Sequence, residues 1–284
     1  MLAAVGALAL ASYGSGGPPG QPPAAAAAVA GGPSRHAVVW AVGDGADGSE
    51  DGRRVAARIA AGRPDRLLYL GDVYEKGTRK DFAEHYAPGY GRLAARTAPT
   101  PGNHDWPNHA TGYDPYWRHA LGRTLGPWYA FRAGGWELLS VNSEVDHDPG
   151  SAQLRWLRGR LRAPGTCRIA FWHRPRFSAS THHGDQGDME PVWNALRGHA
   201  RIVLGGHDHD MQRFRPADGL TQFVSGAGGA ERYPVRRDSR LAFAADNTLG
   251  ALRLDLRPGR ASYAFVDVGR RVLDRGTVRC RTGR

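Results

Sequence analysis

Cysteine and lysine are both scarce in this chain: two cysteines, Cys167 and Cys280, and two lysines, Lys76 and Lys80, stand among 284 residues. Two cysteines allow one bridge at most, so the chain is not a small scaffold that depends on staples, and a hydrophobic share of 41% supports a real core at this length. With lysine nearly absent, the formal charge of +11 rests on arginine, 38 basic residues standing against 27 acidic ones. These arginines are scattered, and no basic cluster with interleaved aromatics is present, which argues against specific nucleic-acid binding. A positive field of this size still attracts phosphorylated molecules in general. The apolar leader from Met1 to Ser12 is too short to span a membrane. There is no internal repeat and no coiled-coil pattern.

The leader ends in Ala9-Leu10-Ala11-Ser12, which resembles the end of a secretory h-region. No Lys or Arg precedes it, so the signal pattern is incomplete; a start upstream and a segment without order both stay open. Residues 14–32 are almost all Pro, Gly and Ala, with single Ser, Gln and Val residues, a composition that reads as a flexible linker. The expected organisation is a signal-like segment and linker over 1–34 and one domain over 35–284, located outside the cytoplasm, secreted or in the cell envelope. In that compartment Cys167 and Cys280 are expected to pair, with two buried free thiols as the alternative.

From His36 onward short apolar runs alternate with amphipathic stretches, the rhythm of an α/β or layered α+β domain. His36 to Val42, Leu67 to Leu70, Cys167 to Trp172 and Arg201 to Leu204 read as buried strands. Arg53 to Ala61, Ser151 to Leu161 and Glu190 to Leu196 read as helices, the second with Ser151 as N-cap and Leu154, Leu157 and Leu161 on one face. The last third is strand-like at Leu220 to Val224, Leu252 to Leu256 and Ala261 to Val268, which suggests two packed sheets with helices outside. Asp105 to Gly126 is aromatic and weakly periodic and is expected to be a loop near the site.

The chemically informative residues follow predicted strands: Gly43-Asp44, Gly71-Asp72, Gly102-Asn103-His104-Asp105, His173, and Gly205-Gly206-His207-Asp208-His209. Singly, a Gly-Asp after a strand is more often a turn than a ligand. In α/β architectures, however, the carboxyl ends of strands converge on one edge, so these blocks can meet. Two Asp, one Asn and three His without a thiolate suit iron, zinc or manganese better than copper(I) or a structural zinc site. A carboxylate can bridge two ions, and an ion pair supports in-line displacement at phosphorus.

The ordered set Gly-Asp, Gly-Asp, Gly-Asn-His-Asp, His and Gly-His-Asp-His resembles the calcineurin-like metallophosphoesterase superfamily, and within it the purple-acid-phosphatase-like branch, over about His36 to Phe214. The resemblance implies an αββα four-layer β-sandwich fold with the site at the strand ends. It implies two divalent or trivalent metal ions (Fe, Zn or Mn), Asp44 and His209 holding the first, Asp72 bridging, and Asn103, His173 and His207 holding the second. Asn103 is also expected to contact substrate. His104 would protonate the leaving oxygen, a role typically worth about 10²–10⁴-fold. Asp105 would either orient that imidazole or cap its own loop. In His182-His183-Gly184, His183 resembles the substrate-contacting histidine of purple acid phosphatases, a loop histidine being the other reading. His36, His85, His109, His119, His147 and His199 default to structural or surface roles.

Two departures stand out. The wider superfamily has Asp-x-His in its first block, where this chain has Asp44-Gly45-Ala46. The purple branch supplies a tyrosine three residues after the bridging Asp, whereas Tyr74 comes two residues after Asp72 and Glu75 takes the third place. In a regular extended segment that shift would turn Tyr74 away from the metal. A bent loop would restore it, and the retained Tyr-Glu pair and Gly77 favour bending. The expected activity is hydrolysis of a small phosphorylated substrate as a phosphomonoesterase, through a metal-bound hydroxide. A phosphodiesterase or nuclease on the same site, or a non-catalytic basic binding module, is the alternative.

Overall fold

Thirteen strands carry the described chain. They are β1 (Ala37–Val42), β2 (Arg66–Tyr69), β3 (Thr97–Pro99), β4 (Tyr129–Ala133), β5 (Trp136–Ser140), β6 (Arg168–Phe171), β7 (Ile202–Gly205), β8 (Met211–Phe214), β9 (Thr221–Ser225), β10 (Leu241–Ala245), β11 (Gly250–Arg257), β12 (Arg260–Asp267) and β13 (Val272–Arg279). The structure, a computed structural model, describes residues 35–280. The signal-like segment and linker expected over 1–34 lie outside the described residues.

The strands form a six-stranded sheet, β13-β12-β11-β1-β2-β3, and a seven-stranded sheet, β10-β8-β9-β7-β6-β5-β4. Side-chain alternation along each strand divides the apolar residues between layers. Val39, Ala41, Leu68 and Leu70 of the first sheet pack with Ile169, Phe171, Ile202 and Leu204 of the second in the core between them. The opposite faces, Trp40, Val42, Leu67 and Tyr69 on one side and Ala170, Trp172 and Val203 on the other, are covered by helices. The layering is therefore helix, sheet, sheet, helix, as expected.

Four helices do most of this covering: α1 (Glu50–Ala61), α2 (Tyr113–Leu121), α3 (Ala152–Leu161) and α4 (Glu190–Leu196). Helix α1 begins three residues before the sequence pattern places it, because the Ser49 side chain accepts the Gly52 N–H and caps it. Ser151 caps α3 as expected, accepting from Leu154 N–H at 3.1 Å. Helix α2 corrects the expectation of a loop over Asp105 to Gly126. Tyr113 and Trp117, four residues apart, are buried against Phe82 and Tyr86, and Gly122 ends the helix in the left-handed region at φ 66°. Short helical segments at 79–96, unassigned in the sequence, supply Phe82, Tyr86 and Tyr90 to the same cluster.

Strands β1, β2 and β3 run parallel, as do β5, β6, β7 and β9. The loops after β1, β2, β3, β6 and β7 therefore emerge at one edge of the sandwich. At the start of β6, Cys167 is bonded to Cys280, which follows β13, with 113 residues of separation. Intact mass under non-reducing conditions should be two hydrogens below the dithiol form. A loop of this length sets an upper bound of about 4–5 kcal/mol in the chain-entropy model, so reduction should lower the melting temperature by about 5–10 °C. Two titratable thiols in the oxidatively folded protein would refute the bridge.

Candidate metal centre

Three residues at the strand ends adopt a backbone that side chains other than glycine rarely take: Asp44, Asp72 and His207 have φ of 59°, 67° and 70°. Each turns the chain sharply at the end of its strand, and carboxylates of the site hold two of these turns. Asp44 Oδ2 accepts the His207 N–H at 2.8 Å, joining the loops of the two sheets. Asp72 Oδ1 accepts the His104 N–H at 3.0 Å. Two glycines make room for this: a Cβ on Gly71 would stand 2.6 Å from His173 Nδ1, and one on Gly102 would collide with Asp72 Oδ1.

The remaining carboxylate oxygens face a cluster of nitrogen and oxygen donors. His173 Nε2 lies 3.3 Å from Asp72 Oδ2, 3.1 Å from Asn103 Oδ1 and 3.1 Å from His207 Nδ1. With bonds of about 2.0–2.2 Å, neighbouring ligands on one ion stand about 3–3.5 Å apart, so these four atoms fit the corners of a single coordination shell. Asp72, His173 and His207 satisfy a metal-site geometry among the described residues. Backbone carbonyls fix the imidazoles in place: His173 Nδ1 lies 2.8 Å from Leu70 O, and His209 Nδ1 meets Glu231 O, which leaves each Nε2 for the centre.

On the other side of Asp72, Tyr74 Oη lies 2.8 Å from His209 Nε2 and 3.3 Å from Asp44 Oδ1. The loop bends, and the tyrosine faces Asp44 and His209 rather than turning away from them. Gly77, at φ 58°, makes the close approach possible, since a Cβ there would stand 2.5 Å from Asp105 Cα. Tyr74, Asp44 and His209 thus form a second group of donors beside the first, and the residue types present fit metal ions.

Electrostatics in the ion-free protein point the same way. Burial lowers the His173 imidazole, but Asp72 and Asp44 outweigh it and push the group up to about 10. Burial with His173 alongside holds His207 far below its ordinary value, and burial holds His209 down to about 4. Burial raises the Asp44 carboxyl well above the usual range. At Asp72 burial acts in the same direction, yet His173 and His104 outweigh it and lower the group. One proton on His173 thus balances two closely spaced carboxyls, a place where cations would do so better.

His104 is partly exposed, its Nδ1 2.6 Å from Glu75 O and its Nε2 4.0 Å from Asp72 Oδ2. The buried Asp105 carboxylate accepts the N–H groups of Asp72 at 2.8 Å, Val73 at 3.0 Å and Gly102 at 2.9 Å, and makes no hydrogen bond to the His104 ring among the described residues, contacts of the loop-capping kind. His183 stacks on His207, ring centroids 3.8 Å apart, and burial with nearby imidazoles holds it down to about 4. Two residues, His182 and Tyr233, were given no role from the sequence. Tyr233 stacks on His182 and on His209, at 4.1 and 4.0 Å. The pairing of His182 with His183 was a usable signal, whereas Tyr233 is brought to the site by contacts between segments distant in sequence, among them the bridge between Ser180 and Val235 and the meeting of His209 with Glu231 O.

The profile of the calcineurin-like phosphoesterase family matches residues 37–211, which carry every one of these donors. The chain belongs to that family. Within it, the chain is 26% identical over 212 residues to probable purple acid phosphatase 20 of Arabidopsis thaliana, covering 64% of this chain and 48% of that protein. The chain thus spans about half the length of this curated relative. Its fold is similar to that of purple acid phosphatase PPD1 from yellow lupin (Lupinus luteus) seeds, with a TM-score of 0.66, 15% identity, and coverage of 86% of this chain and 54% of that one. It is also similar to GAP50, the anchor in the inner membrane complex of Plasmodium, with a TM-score of 0.71, 13% identity, and coverage of 87% and 89%. The phosphoesterase family and the purple-acid-phosphatase likeness agree with the motif order in the sequence.

Two outcomes are expected at this site. Iron-loaded protein should show a visible charge-transfer band that Tyr74→Phe removes; a colourless iron-loaded wild type would place the phenol outside the coordination shell. Asp105→Asn should replace one of the two accepting oxygens with an NH2 donor facing at least one of the three N–H groups, costing about 1–3 kcal/mol per unsatisfied group and lowering both melting temperature and metal content. Unchanged stability and metal content with a slower turnover would return Asp105 to the role of orienting His104.

Proposed function

We propose that this family member is a metal-dependent phosphomonoesterase, acid-phosphatase-like, that works outside the cytoplasm. One observation carries the reading: oxygen and nitrogen donors from five strand-end loops converge on Asp72, with Tyr74 restored to the side of Asp44 and His209. Because a similar fold serves GAP50, described as an anchor, the fold alone does not argue for catalysis, and the donor set does. A binding module has no need of three loops held in the left-handed region around buried carboxyls.

Asp44, Tyr74 and His209 would hold one ion, Asn103, His173 and His207 the other, and Asp72 both. Two ions bound there would lower the pKa of a water and offset charge on the attacking and leaving oxygens. Everything else falls to side chains. Asn103 and the neutral His183 would hold the phosphate oxygens by hydrogen bonds, and His104, oriented by the Glu75 carbonyl, would pass a proton to the leaving oxygen through Nε2. Tyr233, stacked on His182 and His209, would line one side of the centre. Secretion is part of the proposal, supported by the disulfide and the signal-like leader.

The test is metal analysis beside a screen of mono- and diesters. Asp72→Asn should lower metal content and abolish hydrolysis, whereas His104→Ala should keep its metal and lose about 10²–10⁴-fold in kcat. Full activity in the Asp72 variant would refute the two-ion reading, and faster turnover of diesters than of monoesters would replace phosphomonoesterase with phosphodiesterase.

A further inference from the structure

At the end of the seven-stranded sheet opposite the donor loops, the segments entering β6 and β7 frame a cavity of about 150 Å³. It is lined by residues 163–166, Arg168, 198–199, Arg201 and Cys280, and no carboxylate is among these lining residues. The Arg168 side chain is only 2% exposed. Its Nε donates to Glu137 Oε2 at 2.8 Å, its Nη1 to His199 O at 3.3 Å, and its Nη2 to Arg160 O at 3.1 Å and Ala163 O at 2.7 Å. The second N–H of Nη1 is left without an acceptor among the described residues. Arg201 and His199 make no side-chain hydrogen bond or ion pair among the described residues. Arg201 Nη1 lies 3.1 Å from where a Cβ on Gly219 would stand.

Charge around this cavity does not balance. Glu137, the acid that meets Arg168, is shared with Arg160. Asp218, on the turn beside Gly219, is taken by Arg197 Nε and Trp193 Nε1, both at 3.0 Å. Two guanidinium groups thus share one carboxylate, and Arg201 has none. Positive charge in a recess is screened less than on an open surface, so the excess favours an anion. The frame is also fixed. The Arg201 N–H donates to Arg168 O at 3.1 Å, the Thr221 N–H donates to Arg201 O at 2.9 Å, and Cys280 is bonded to Cys167, which directly precedes β6. Donors already held in place lose little freedom on binding.

We propose that this cavity is an anion site, separate from the metal centre, that takes one tetrahedral phosphate or sulfate group on Arg168, Arg201 and His199. Guanidinium N–H groups match the oxygens of such a group in direction as well as in charge. Volume sets the class. Drug-sized ligands fill pockets of about 300–1,000 Å³, so this smaller one holds the anionic group and little beside it. The overall charge of +11 draws such anions toward the protein. Strand β6 separates the two sites: from Arg168 at the cavity to His173 at the centre the extended chain covers about 15 Å. An anion in the cavity therefore does not touch the donors of the centre, and the inference does not rest on the reading of that centre as a phosphoesterase site.

The test is equilibrium dialysis of labelled inorganic phosphate against full-length protein at fixed ionic strength, with Asp72→Asn as the background that disables the metal centre. This variant should still bind one phosphate per chain, displaced by sulfate and not by chloride. Adding Arg201→Gln should weaken that binding at least about ten-fold, and adding Thr166→Asp, which sets a carboxylate in the cavity, should abolish it. In the otherwise native, metal-loaded protein both substitutions should leave metal content and hydrolysis unchanged. Phosphate lost with Asp72→Asn alone, or bound with undiminished affinity after Arg201→Gln and Thr166→Asp, would overturn the site. If Asp72→Asn does not fold, metal-loaded wild type gives the same decision by count, since Arg201→Gln should lower the phosphate bound per chain by one. Glucose 6-phosphate that displaces the label assigns the group to a larger phosphorylated molecule, and failure to displace assigns it to the free ion; either supports the site. A centre that proves inactive in hydrolysis leaves the result on the Asp72→Asn background untouched.

Discussion

Asp44, Asp72 and Asp105 each direct carboxylate oxygens at main-chain N–H groups of neighbouring loops, and the arrangement of the site depends on this one kind of contact. Asp44 reaches across from the six-stranded sheet to the His207 N–H, Asp72 reaches the His104 N–H, and Asp105 collects three N–H groups from the loops after β2 and β3. Charge-assisted bonds of this sort are stronger than neutral ones, and they are buried, where leaving a donor unmet is costly. Asp44 and Asp72 each spend one oxygen on the loops and turn the other toward the centre. Scaffold and donor set are thus made by the same side chains.

The cost is visible in the backbone. Asp44, Asp72 and His207 occupy the left-handed region, at about 1–3 kcal/mol each for residues other than glycine. An extensive sandwich core, with Val39, Leu68, Phe171, Leu204 and Leu254 all fully buried, holds the strands from which these turns emerge. Burial and the neighbouring Asp72 disfavour charge on Asp44 in the ion-free protein, whereas His173 favours it on Asp72.

How much of this could be read in the sequence differs by residue, for physical reasons. The five donor blocks were legible because a ligand needs a particular side chain at a strand end, and both the strand and the residue leave local marks. Layering was legible in outline, since alternation along β1, β2 and β6 sorts residues between two cores. Helix α2 was hidden because Tyr113, Tyr116 and Trp117 bury aromatic faces against Phe82 and Tyr86, a tertiary match that no local periodicity announces strongly. The aim of Tyr74 stayed open because one residue of loop length reverses a side chain on a regular strand but not in a bend. Asp105 was undecided between two roles since its partners are backbone N–H groups, which every residue has. Tyr233 arrives by a bridge between distant loops, so nothing near it in sequence marks it.

The donors also divide by sheet. Asp44, Asp72, Tyr74 and Asn103 stand on loops after β1, β2 and β3, and His173, His207 and His209 on loops after β6 and β7. An ion held by both groups would act as a rivet through the open edge of the sandwich, oxygen from one leaf and nitrogen from the other. At the opposite end of β6, Cys167 is already fastened to the chain that follows β13 in the other leaf. That one strand, with the residues flanking it, spans about 20 Å between a covalent clasp and the donors proposed to hold metal. With an ion bound there, the two leaves would be barred from sliding past each other at either end, and a phosphate entering the proposed site would meet jaws whose spacing is set before it arrives.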